Sequence, residues 1–116
     1  MNNPAGELNI GSEPFAAGEV VSVRGEVDLH TSPQLRDNLL QVIGRRPKVL
    51  IIDLTGVAYM DSSGVGTMVE AKRLAERNGG AVVLAGLQER VRGVFEITQL
   101  DKFFRIVANV EEAKQT

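Results

Sequence analysis

Asp61, Ser62, Ser63, Gly64 and Gly66 fall within one stretch, AYMDSSGVGTM at residues 58–68. An acid, two hydroxyls and two glycines at that spacing could serve three kinds of chemistry: a nucleophile, a phosphate cradle, or a hydroxyl that carries a covalent modification. The cradle lacks its partners. The Walker pattern asks for a lysine after its second glycine, and here Gly66 is followed by Thr67. Gly64-Val65-Gly66 is also too short for the dinucleotide fingerprint. A serine hydrolase would read G-x-S-x-G and bring a histidine base, whereas Met60 and Asp61 precede Ser62 and the chain has a single histidine, His30. His30 reads as a surface-loop residue beside a helix start, because a nucleophile needs a positioned base and oxyanion donors together. No catalytic residue is expected. His30 with Asp28, Asp53 and Asp61 makes no spaced zinc set and no calcium loop, so neither a metal nor a cofactor is implied.

Modification remains, beside the plainer reading in which Asp61 and the serines only form a turn and cap. A phosphoryl group on Ser62 would bring about −1.5 to −2 of charge and three acceptors to a helix N-terminus, which tolerates them, next to Asp61, which would be repelled. A partner docked against a small neutral hydroxyl would then meet a bulky dianion. Ser63 is the expected cap of the helix that follows, which leaves Ser62 one step earlier, in the loop and better exposed.

The elements that must position this stretch can be read outward from it. Lys48 to Leu54 is apolar on both parities, as in a strand covered on both faces. Val65, Met68, Val69 and Lys72 share one helical face, with Ala71 and Ala75 beside them, and Asn78-Gly79-Gly80 ends the run, which predicts a helix over about Gly64 to Arg77. Upstream, Leu8 and Ile10 alternate with polar residues, Gly11 to Gly18 reads as a loop, and Val21 and Val23 alternate again. Thr31-Ser32-Pro33 starts a helix, with a hydroxyl to cap it and a proline near its first position, and Leu35, Leu39, Leu40 and Ile43 continue it to Gly44. Downstream, Ala81 to Ala85 is a buried strand, Gln88 to Ile97 a helix with Val91, Val94 and Phe95 on one face, and Phe103 to Val107 a short strand. Asn109 can cap a last helix through Ala113. The alternation predicts an α/β domain over residues 8–113, with a mixed, mostly parallel sheet of about four or five strands and about four helices. Residues 1–7 are expected to be a loosely held N-terminal stretch.

Bulk properties narrow the function. The chain has 116 residues and a formal net charge of −2, with a pI near 5.4. The Arg45-Arg46 and Lys72-Arg73 doublets are no basic surface, so direct nucleic-acid binding is not expected. Cysteine is absent, which removes disulfides and thiolate chemistry and suits the cytoplasm. The longest apolar run, Val49 to Ile52, is far short of a membrane span, and Met1-Asn2-Asn3-Pro4 does not have the profile of a signal peptide. A cytoplasmic protein without membrane insertion is expected.

Four segments, taken in order, resemble the STAS domain, the family named for sulfate transporters and anti-sigma factor antagonists. They are VRGEVDLHTSPQL at Val23 to Leu35, VLIIDLTGVAYMDSSGVGTMVEAKR at Val49 to Arg73, GGAVVLAGLQERVRGVFEITQLDKFF at Gly79 to Phe104, and VEEA at Val110 to Ala113. The chain looks like the stand-alone bacterial members, which act as anti-sigma factor antagonists. The resemblance implies a cycle. The unphosphorylated protein binds a serine kinase that is also the anti-sigma factor, phosphorylation by that kinase breaks the complex, and a metal-dependent serine phosphatase restores it. It further implies that Ser62 is the acceptor, that Asp61 flanks it, that Ser63 and Gly64 continue the docking loop, and that Asp28 stands beside the partner surface. STAS domains also serve as unphosphorylated scaffolds of signalling assemblies and as cytoplasmic subunits of lipid or anion transporters, and retention of D-S-S-G favours the switch.

Overall fold

The computed structural model describes residues 7–115; the N-terminal stretch expected to be loose falls mostly on residues 1–6, outside that range. Nine elements follow one another: β1 (Asn9–Phe15), β2 (Gly18–Val27), α1 (Ser32–Gly44), β3 (Val49–Met60), α2 (Ser62–Arg77), β4 (Ala81–Ala85), α3 (Glu89–Ile97), β5 (Arg105–Val107) and α4 (Val110–Lys114). The strands form one sheet in chain order, β1-β2-β3-β4-β5. β1 and β2 are an antiparallel hairpin, and every later pairing is parallel. The fold is thus the α/β domain with a mixed, mostly parallel sheet that the alternating pattern predicts.

The two parities of β3 explain why it reads as apolar throughout. Leu50, Ile52, Leu54, Val57 and Met60 enter the larger core with Leu35, Leu39 and Ile43 of α1, Val65 and Met68 of α2, and Val91 and Phe95 of α3. Ile51 turns the other way, into a smaller cluster with Val20, Val83, Ala85 and Val107 that α4 covers through Ala113. Three helices therefore pack on one face of the sheet and the last helix on the other.

Two strands run further than their periodicity suggests. β3 continues past Leu54 to Met60 because β2 stays alongside it, with register irregularities between Ser22 and Arg24 and between Gly25 and Glu26. Each irregularity puts an extra residue on one strand and breaks the alternation that marks a strand in sequence. Gly25 of β2 lies beside the second one at φ +124°, a conformation that glycine adopts without strain. β1 runs through Pro14 to Phe15, so the expected loop from Gly11 to Gly18 shrinks to a turn at Ala16-Ala17. A proline is acceptable there because β1 is an edge strand. At the other end of the chain β5 begins only at Arg105.

This topology positions the site. Val27 pairs with Met60 at the ends of β2 and β3, and the Asp61 N–H donates to the Val27 carbonyl at 3.1 Å. The chain leaving β2 toward α1 and the chain leaving β3 toward α2 therefore start side by side at one edge of the sheet.

Candidate functional site

Asp28, Asp61, Ser62, Ser63 and Gly64 all lie at that edge. The cap of α2 is Asp61, not Ser63, and the helix begins at Ser62. Asp61 has extended backbone, and its carboxylate accepts the Ser63 N–H at 2.9 Å, the Gly64 N–H at 3.4 Å and the Ser63 hydroxyl. An aspartate directly before a helix is as good a cap as serine, and its charge also suits the positive end of the helix dipole. The Ser63 hydroxyl above all holds the Asp61 carboxyl below its ordinary value, against the opposing effect of burial and with help from the neighbouring backbone N–H groups.

The cap lies two residues earlier than expected and Ser62 is helical, not in the loop, yet the contrast between the serines holds for a different reason. Ser63 is half-buried with its hydroxyl committed to Asp61, and its carbonyl accepts the Thr67 hydroxyl at 2.9 Å. Ser62, in the first turn of α2, is exposed, and among the described residues no hydrogen bond engages its hydroxyl. Gly64 is buried. A Cβ there would stand 2.5 Å from Met60 Cγ and 2.8 Å from Val27 Cγ1, so its lack of a side chain lets the first turn of α2 sit on the strand ends. Ser63 and Gly64, which the resemblance assigns to a docking loop, are thus part of a helical turn.

Asp28 organises the neighbouring loop. Its Oδ1 accepts the N–H groups of His30 and Thr31, both at 2.9 Å, and its carbonyl accepts the Ser32 N–H at 2.8 Å. Thr31 occupies the N-cap position of α1, but its hydroxyl makes no cap bond. It donates instead to the Glu26 carbonyl at 2.7 Å and accepts the Asp28 N–H at 3.0 Å, tying the loop back to β2. The His30 side chain is exposed and makes no hydrogen bond to Ser62 or Ser63 among the described residues. No group of three or more histidine, aspartate or glutamate side chains gathers among them as a metal site would require, and no helix is long and apolar enough to cross a membrane. The Arg36 guanidinium grips Glu70 in a fork, Nε to Oε1 at 2.9 Å and Nη2 to Oε2 at 2.8 Å, and so clamps α1 to α2 just behind the site.

Sequence reasoning passed over Leu29. It lies in the loop between Asp28 and His30, outside any periodic run, and it is 78% exposed. The available signal was an apolar residue in the middle of an Asx-type turn, where polar residues are the rule.

The site is thus an exposed serine at a helix start, capped by an aspartate, beside the carboxyl ends of the parallel strands of an open α/β sheet. The model of the STAS domain matches residues 17–113, and the chain belongs to that family. It is 40% identical over 91 residues to an anti-sigma-B factor antagonist of Listeria monocytogenes serovar 1/2a, a match that covers 78% of this chain and 79% of that one. The Bacillus anti-sigma factor antagonist SpoIIAA superposes in its unphosphorylated form with a TM-score of 0.77 at 28% identity, over 90% of this chain and 92% of that one. Its phosphorylated form gives 0.71 at 27%, over 92% and 97%. An anti-sigma factor antagonist from Mycobacterium paratuberculosis shares the fold at a TM-score of 0.89 and 24% identity, over 98% of this chain and 97% of that one.

Proposed function

We propose that this protein is an anti-sigma factor antagonist that works in the cytoplasm by partner switching. Unphosphorylated, it binds a serine kinase that is also the anti-sigma factor and so frees the sigma factor. Phosphorylation of Ser62 by that kinase releases it, and a metal-dependent serine phosphatase returns it to the binding form. It acts by being bound and modified and not by catalysis, without direct contact to nucleic acid and without membrane insertion. The observation that carries this reading is the exposed, unbonded hydroxyl of Ser62 on a helix start whose cap is the neighbouring Asp61. The likeness to SpoIIAA, a protein solved in both phosphorylated and unphosphorylated forms, supports it.

The physics of the switch is local. A dianion on Ser62 stands at the positive end of the α2 dipole, which favours it, and is repelled by Asp61. The fold is therefore preserved while the surface changes sign and size. Moving a complex from almost all bound to almost all free takes about 5.5 kcal/mol of differential affinity. A phosphate buried without a partner against the kinase surface supplies a penalty of that order.

The test uses the purified serine kinase/anti-sigma factor of the source organism. With ATP it is expected to place one phosphate on the chain, at Ser62 by mass spectrometry. Without ATP it is expected to bind wild type and Ser62→Ala alike and to lose Ser62→Asp. The same partners on all three forms, with Ser62 never phosphorylated, would instead indicate a constitutive scaffold or transporter subunit.

A further inference from the structure

Two features beside Ser62 have no role in holding the fold. Leu29 is 78% exposed although the loop that carries it is pinned by the side chain of Asp28, the hydroxyl of Thr31 and the Ser32 N–H. An apolar side chain held in water by a rigid backbone loses little freedom when a partner covers it, which favours binding. Gly66 is the second feature. It lies inside α2, one turn after Ser62 on the same stripe of the helix, since residues four apart share a face. Glycine is the poorest helix former after proline. Packing does not require it here: Gly66 is exposed, and a Cβ built on it meets nothing within 4 Å, whereas Gly64, two residues earlier, is hemmed in by Met60 and Val27. The result is a bare step on the helix surface next to the serine, where another chain can approach the α2 backbone closely.

Resting on the partner-switching reading above, we propose that Leu29 and Gly66 extend the docking surface around Ser62. Leu29 is the apolar anchor that enters a pocket of the serine kinase/anti-sigma factor, and Gly66 is the flat step on which that partner's surface packs. Leu29 thereby contributes to the choice of kinase, because an apolar anchor selects the partner that has a matching pocket and rejects one that presents charge there. The segments that carry the anchor and the serine leave the sheet together, joined where the Asp61 N–H donates to the Val27 carbonyl at 3.1 Å.

The experiment is a calorimetric titration of the purified kinase/anti-sigma factor, without ATP, with wild type, Leu29→Ser, Gly66→Ala and Ser62→Asp. Two comparison variants are included. Ile97→Ser removes an apolar side chain that is 85% exposed but sits at the end of α3. Gly93→Ala fills another open helix glycine, also in α3. Burying an exposed leucine is worth about tenfold or more in affinity, so Leu29→Ser is expected to weaken binding at least about tenfold while Ile97→Ser leaves it unchanged. Gly66→Ala is expected to weaken binding several-fold while its Tm stays level or rises, which a merely structural glycine would not do; Gly93→Ala is expected to bind as wild type. Wild-type affinity in Leu29→Ser would overturn the anchor, and wild-type affinity in Gly66→Ala would overturn the step, in both cases leaving the switch standing provided Ser62→Asp still loses the kinase. A wild-type chain that does not bind the kinase would overturn the switch and the anchor together.

Discussion

The starts of α1 and α2 stand next to each other, each introduced by an aspartate that leaves a strand, and they use that aspartate differently. Asp61 is the cap itself, so the residue after it, Ser62, is already helical and its position is set by the rigid first turn of α2. Asp28 sits three residues before the cap position of α1, and its carboxylate closes a small loop instead. The residue after it, Leu29, is pushed out into solvent. One aspartate places a hydroxyl on a firm base and the other holds up an apolar side chain. The difference comes from where the helix begins relative to the acid, a matter of three residues in sequence.

The comparison can be broken most forcibly at Gly64. Adding a methyl there drives it into Met60 and Val27, and Gly64→Ala is expected to lose about 2 kcal/mol in chemical denaturation, as overpacking of a close contact does. A loss below about 0.5 kcal/mol would mean that the first turn of α2 can lift off the strand ends. On the α1 side, Thr31 is 3% exposed and its hydroxyl serves both Glu26 and Asp28. Thr31→Val keeps the shape and strands a carbonyl and an N–H, at an expected cost of about 1.5 kcal/mol. Faster amide exchange at Asp28 is the accompanying sign, and unchanged exchange would show that the loop does not depend on the hydroxyl.

Smaller again is Asp61→Ala, expected to cost about 1 kcal/mol for a lost N-cap, and here pH sharpens the contrast. Asp61 is held below its ordinary carboxyl value of 3.8 in the folded protein. Its contribution is therefore fully present above the unfolded value and disappears as pH falls through the lower folded one. The stability gap between wild type and Asp61→Ala is expected to be constant from neutral pH down to the ordinary carboxylate range and to close below it. A gap that opens toward acid would reverse the sign and remove the capping role.

Much of this was legible before the structure. The buried strand β4, the end of α2 at Asn78, and Asn109 as the cap of α4 follow from local chemistry, and the structure has each of them. The Asn109 side chain accepts the Glu112 N–H at 2.8 Å, as a cap should. The far half of β3 was hidden because the two irregularities against β2 scramble the period of two. The length of β1 was hidden because Pro14 reads as a breaker unless the strand is known to be at an edge. At the site, residue types singled out Ser62 and Asp61, but whether Ser63 or Asp61 caps the helix depends on a backbone angle, not on composition. The fork between Arg36 and Glu70 joins residues 34 positions apart and leaves no local trace.

The two outer strands of the sheet have a consequence for how the protein lives among copies of itself. β1 carries Pro14, which brings no N–H, and an exposed Glu13, while β5 offers only three residues, one of them the exposed Arg105. Strands that are short, prolyl or charged are poor templates for another chain to pair with. The sheet thus ends in two blunt margins. Neither margin offers copies of the molecule a good strand along which to zip into ribbons.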